Sequence, residues 1–350
     1  MKKNVMTVLF LGFIFLGMGS ACGTEEDHET GSAESEEQPL HIYTTLFAWE
    51  DFANKIGGDE VEVVNLVPDG GDAHSFEPTS QTMVDVVEAD AFMFNGAGME
   101  GFAEEINKMA QEEGVLSIEV TEDIDLKNFA DEHTHEHDHH EESEESSEEH
   151  DHGHGEVDPH IWLDPVIAAE AAENIKDALI ELRPEQKETF EENFADLKEQ
   201  LLDLDKEFSE MVNAAEGNQF IVSHSAYGYW EDRYGLEQIG VAGLAPSDEP
   251  SQKQLREIIE TVEDSGIQHV MLEKNVSSKV TEVVQDEVGA EALHVQNLAS
   301  LIQEERDSGE DYFSLMKQNI DNLEKALQLS DETAPSQESS DDHEEEHGRN

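Results

Sequence analysis

The sequence has almost nothing to cross-link with. Cys22 is its only cysteine, so no disulfide can form within the chain. Positive charge is scarce too, with 19 Lys and Arg against 85 Asp and Glu and a formal net charge of -66. A surface that acidic repels phosphate backbones and anionic lipid heads, which sets aside nucleic acid and bare membrane surface as partners. A saline or alkaline habitat would favour it. The apolar run at the start, Val5 to Met18, is too short and wrongly flanked to be a spanning helix. No nucleophile–base pair stands out either, so the expectation is a protein that is not an enzyme.

What is present begins with an address. Lys2 and Lys3 precede the apolar run, Gly19, Ser20 and Ala21 are small, and Cys22 closes the segment. Residues 1–21 therefore read as a secretory signal peptide. The Gly-Ser-Ala-Cys ending resembles a bacterial lipobox, which would make Cys22 the lipid-carrying first residue of a protein held outside the cell membrane. The bland alternative is an ordinary signal peptide with an incidental cysteine. Residues 22–39 and 330–350 are acidic and polar, without the apolar residues a core needs, and read as a flexible tether and tail. The roughly 290 residues between them are enough for two domains.

In that span, short apolar strands alternate with helical patterns, which predicts an α/β fold of two parallel-sheet lobes. The first lobe is expected over 40–183, with strands at His41–Leu46, Val61–Val67, Ala91–Phe94 and Val115–Val120. The second is expected over 215–329, with strands at Phe220–Ser223, Gln238–Ala242, Ile267–Leu272 and Leu293–Gln296. Between them Phe190, Phe194, Leu197, Leu201, Leu204, Phe208 and Met211 step by four and three residues. They predict one linking helix over 184–214, about 45 Å long at 1.5 Å per residue. A coiled-coil segment is the alternative. A rigid connector between the lobes would limit hinge closure.

Eleven of the 17 histidines fall into two groups. His133, His135, His137, His139, His140, His150, His152 and His154 crowd a low-complexity acidic insert, Asp131 to Asp158. Such tracts bind zinc-like ions through neutral imidazole, weakly and with loose stoichiometry; a merely polar linker is the alternative. His135–His139 and His343–His347 match the H-E-x-x-H spacing, but neither has the apolar periodicity of the helix that this chemistry needs. Three further histidines stand alone in structured sequence: His74 in Asp72–Thr79, His160 in Asp158–Pro165, and His224 directly after the strand Phe220–Ser223. Singly, each is more simply a structural histidine. Together, at the carboxyl ends of strands where α/β sheets hold ligands, they would form a three-nitrogen metal site with a fourth position.

The segments Asp72–Thr79, Asp158–Pro165, Val222–Trp230 and Glu273–Val284, with the histidine-rich insert, resemble the zinc-binding branch of the cluster A-I solute-binding proteins of bacterial ABC importers. The resemblance spans about His41 to Leu329. It implies two lobes joined by a backbone helix, with His74, His160 and His224 as metal ligands in the cleft. It further implies Zn²⁺ as cargo, a membrane permease and ATPase as partners, and a monomer held to the membrane through its lipid. Manganese-binding relatives place an acid where His224 stands, so a third imidazole favours zinc. Zinc-binding relatives often add a glutamate from the loop after the last strand, where this chain has Ala299. That leaves the fourth position to water, with Glu304, Glu305 or a loop histidine as alternatives. An extracellular zinc metallohydrolase and a surface adhesin or zinc buffer are the competing functions.

Overall fold

The structure is a computed structural model and describes residues 38–129, 157–276 and 278–328. Cys22, the tether up to residue 37, the insert up to residue 156 and the tail lie outside the described residues. Among the described residues no helix is long and apolar enough to cross a membrane.

The first sheet is built from β1 (Leu40–Thr44), β2 (Val61–Asn65), β3 (Ala91–Phe94) and β4 (Leu116–Glu119), all parallel, in the order β2-β1-β3-β4. The second repeats the plan with β5 (Gln219–His224), β6 (Glu237–Ala242), β7 (His269–Glu273) and β8 (Glu291–Val295), in the order β6-β5-β7-β8. Both orders reverse direction between the first and third strands, and an open parallel sheet has its ligand crevice at that switch point. Strands such as β3, buried at all four residues, are continuous apolar runs because helices cover both faces. The expected strands are all present, with ends moved by at most two residues. One shift matters: His224 is the last residue of β5 rather than the residue after it.

Helices α1 (Phe47–Gly57), α2 (Ser80–Val87) and α3 (Ala103–Glu113) flank the first sheet. In the second half α6 (Gly228–Tyr234), α7 (Gln252–Ser265), α8 (Lys279–Val288), α9 (Gln303–Ser308) and α10 (Tyr312–Ala326) do the same. From Gln38 onward both sheets belong to one compact unit. The linking segment differs from a single helix over 184–214. Pro184–Gln186 forms a 3-10 turn, and α5 proper runs Lys187–Ala214. It is preceded by α4 (Pro165–Leu182), which periodicity did not reveal. Asp164 caps α4 by accepting from Val166 N at 2.9 Å and Ile167 N at 3.1 Å, and Pro165 occupies the first turn, where its missing N–H costs nothing. Small Ala168, Ala169, Ala171 and Ala172 line its buried surface and let α5 lie close. Phe190, Phe194, Leu197, Leu201, Leu204 and Phe208 of α5 are all buried against α4, α1 and α10. Each such side chain stabilises by about 1.5–3 kcal/mol.

The two lobes are also tied directly. Arg306, at α9, pairs with Glu50 at 2.9 Å and Asp69 at 2.7 Å, and Lys55 of α1 reaches Asp311 at the cap of α10 at 2.9 Å. Backbone bonds reinforce this: Phe47 N donates to Ala299 O at 2.8 Å and Gly70 N to Leu301 O at 2.6 Å.

Candidate metal centre

His74 sits on the loop after β2. Asp72 shapes that loop: its Oδ1 accepts from His74 N at 3.1 Å and its Oδ2 from Ser75 Oγ at 2.7 Å, an Asx-type turn. The loop is anchored across the lobes by Gly70 N on Leu301 O and by Ser300 Oγ on Gly71 O, each at 2.6 Å. His160 precedes a 3-10 turn, Ile161–Leu163, that is bonded from every side. Asn95 Nδ2 donates to Pro159 O, Tyr229 OH to Asp158 O, Trp162 Nε1 to Asn297 O, Tyr312 OH to Trp162 O and Trp230 Nε1 to Leu163 O. His224 closes β5 at the switch point of the second sheet.

These three residues, from three separate stretches of sequence, converge. One ring nitrogen from each lies within 4.8 Å of the others, and they are the one group of three or more potential metal-binding side chains among the described residues. His74 Nε2 and His160 Nε2 are 3.2 Å apart. Two nitrogens each bound at 2.0–2.1 Å to a tetrahedral ion would be about 3.3 Å apart. The spacing is therefore that of two corners of a small tetrahedron.

Two carboxylates stand behind the rings. Asp158 Oδ1 accepts from His160 N at 3.0 Å and lies 2.8 Å from its Nδ1, which leaves Nε2 to face the cluster. Glu273 Oε1 lies 2.8 Å from His224 Nδ1, although that nitrogen has no aligned hydrogen bond among the described residues. The register of β5 on β7 pairs Val222 with Met271, and two residues further it sets His224 opposite Glu273. Burial opposes protonation of His224, yet the charge of Glu273 wins and raises its pKa above the ordinary 6.5. Among the described residues no carboxylate pairs with the ring of His74. Burial first, then the neighbouring His160 and His224, lowers its pKa to about 2. In the sequence Asp158 is both the last residue of the histidine-rich insert and the first of the His160 segment, and neither it nor Glu273 is singled out for a role at the site. In the structure Val157 bridges to Asn128 and Asp158 is almost fully buried, so both belong to the folded lobe.

The fourth-position alternatives fare differently. Ala299 is buried in the apolar core and offers no donor. Glu305 is occupied elsewhere: its carboxylate accepts from Gln296 Nε2 at 2.6 Å and Ile302 N at 3.0 Å, and pairs with Lys274 at 3.3 Å. Glu304 is exposed.

Residues 42–326 match the family model described as zinc-uptake complex component A, periplasmic. The chain belongs to the ZnuA family. It is 33% identical over 308 residues to the high-affinity zinc uptake system protein ZnuA of Bacillus subtilis strain 168, covering 88% of this chain and 93% of that one. It is 32% identical over 301 residues to the zinc-binding lipoprotein AdcA of Streptococcus pneumoniae R6, covering 85% of this chain but 57% of AdcA, so it spans little more than half of that relative. Among solved structures, the Zn(II)-bound ZnuA-like domain of Streptococcus pneumoniae AdcA superposes with a TM-score of 0.67 at 30% identity, covering 83% of this chain and 99% of that domain. The expected fold, two parallel-sheet lobes and a long helix, is that of this family.

Proposed function

We infer that the chain is the extracytoplasmic zinc-binding component of an ABC importer. His74, His160 and His224 hold one Zn²⁺, and the loaded protein passes it to a membrane permease and ATPase. The observation that carries this is the convergence of three imidazoles, drawn from three segments of the chain, to within 4.8 Å, with His74 and His160 at the spacing of two tetrahedral ligands. Membership in the ZnuA family supports the cargo and the partners. Nitrogen donors without a carboxylate among them favour zinc over oxygen-preferring manganese. Water takes the fourth position, since Ala299 has no donor and Glu305 is engaged elsewhere. Cys22 carries the lipid that keeps a monomer beside its permease, and the histidine-rich insert gathers additional, weaker ions.

Three protein ligands and a water also describe a catalytic zinc. Hydrolysis needs a base beside that water, whereas Asp158 and Glu273 sit behind the rings on Nδ1. The protein is therefore read as a carrier and not an enzyme. Calorimetry tests the assignment. His224→Ala should abolish the tight single-ion event, and deleting residues 131–156 should remove only the weaker ions. The reverse pattern would move the tight site into the insert.

A further inference from the structure

We propose that Asp158 and Glu273 are positioning residues that supply, from behind the imidazoles, the negative charge the three-histidine cluster lacks. The proposal rests on the zinc reading above. Three neutral imidazoles bring no charge to a divalent cation. Directly behind two of them stand two carboxylates whose side chains are 1% and 0% exposed. Among the described residues neither has a Lys or Arg within ion-pair distance; the only ion-pair partner of each is its histidine. Burying a carboxylate without a counter-charge is costly, and the structure does it twice at one spot. Two carboxylates and one divalent ion make a neutral assembly, with the imidazoles as the conducting link.

The two contacts do different jobs. Asp158 grips the backbone N and Nδ1 of His160, which fixes both the ring and its tautomer. Among the described residues its Oδ2 has no hydrogen-bond partner, and it lies where a Cβ on Gly228 would come within 2.6 Å. Gly228 thus provides the room that Asp158 needs. Glu273 meets His224 Nδ1 off the hydrogen-bond direction, so its effect is mainly one of charge. It is steadied by Asn297 Nδ2 at 3.0 Å and Tyr227 OH at 3.4 Å. Among the described residues His74 has no such support; Asp72 is used on its own turn.

The test is zinc affinity by chelator competition, with the visible spectrum of the Co²⁺-loaded protein as a check on coordination. Glu273→Gln and Asp158→Asn keep shape and an acceptor oxygen but lose charge. Each should weaken zinc about 10–100-fold, the range seen when outer partners of metal ligands are removed. The intense cobalt bands of a three-nitrogen site should persist. Glu273→Asp, which keeps the charge, should recover more than Gln does. Gly228→Ala should weaken zinc in the native background and add nothing to Asp158→Asn. Native affinity in both charge-removing variants would overturn the proposal, as would collapse of the cobalt spectrum, which means lost ligands rather than lost charge. If His224→Ala itself still bound zinc tightly, the underlying site assignment would be the part at fault.

Discussion

The two halves of the histidine cluster are built differently. His160 and His224 are 1% exposed, each backed by a buried carboxylate and fixed by strand or turn backbone. His74 is only partly buried, lies on a loop and, among the described residues, has no acid on its ring. The first pair, one ring from each lobe, forms a preset wall; the third ring completes the set from the loop after β2. A carrier needs both qualities, since a site rigid on all sides would bind well and release slowly. The lobes themselves are held together by Arg306, Lys55 and the bonded loop at Ala299–Leu301, which disfavours a wide hinge.

Ligand removal should separate the halves most. His160→Ala and His224→Ala each delete a ligand and leave a buried carboxylate facing a void. Zinc affinity should fall beyond the roughly 100-fold upper range of outer-partner effects, and the apo protein should melt lower. His74→Ala should cost zinc affinity while leaving apo melting nearly unchanged. Equal melting losses from all three would erase the distinction. Next in size is Asn297→Ala, which touches only the wall. Its side chain donates to Glu273 and accepts from Ala299 N at 3.1 Å. Leaving those groups unpaired should destabilise by about 1–3 kcal/mol, read by denaturant unfolding, and should weaken zinc several-fold. On the loop side Asp72→Asn keeps an acceptor for the His74 turn and should change zinc affinity less than Asn297→Ala does.

How far the sequence reveals this contrast depends on the residue. The strands and α5 are legible because a parallel strand is a continuous apolar run and because Phe190 to Phe208 keep helical spacing against a charged background. Helix α4 is hidden by the opposite property: with Ala168, Ala169, Ala171 and Ala172 buried, it has little polar contrast for periodicity to detect. Helix α9, six residues long, is too short to register. Whereas His41, His269 and His294, equally isolated, lie in strands and stay outside the cluster, the three histidines stand out through the motif segments that hold them. The carboxylates behind them do not, since 85 acids give no reason to select two. Their signal is topological. Glu273 ends the strand beside the one that His224 ends, a relation that exists only once strand order is known; Asp158 stands two residues before His160, but that spacing singles it out only once the turn folds its carboxylate onto the ring.

The last and smallest effect is on acid sensitivity, and here the halves should differ in sign. The ring of His74 takes up a proton near pH 6.5 when unfolded but only at about 2 when folded. Between those values the unfolded chain binds more protons, so this ring's contribution to stability is present above pH 6.5 and is lost as pH falls. His224 behaves oppositely. Glu273 raises its folded value above 6.5, so its contribution is complete below that point and is lost as pH rises through the raised value. Melting the apo protein from about pH 7 down to about pH 5 should therefore show a shallower acid loss in His74→Asn and a steeper one in His224→Asn. The effect lies in the slope rather than the midpoint, so each variant serves as its own reference at the upper pH. Should both slopes move the same way, the two rings share one electrostatic environment, and the division into a charged wall and an uncharged third ring would have to be abandoned.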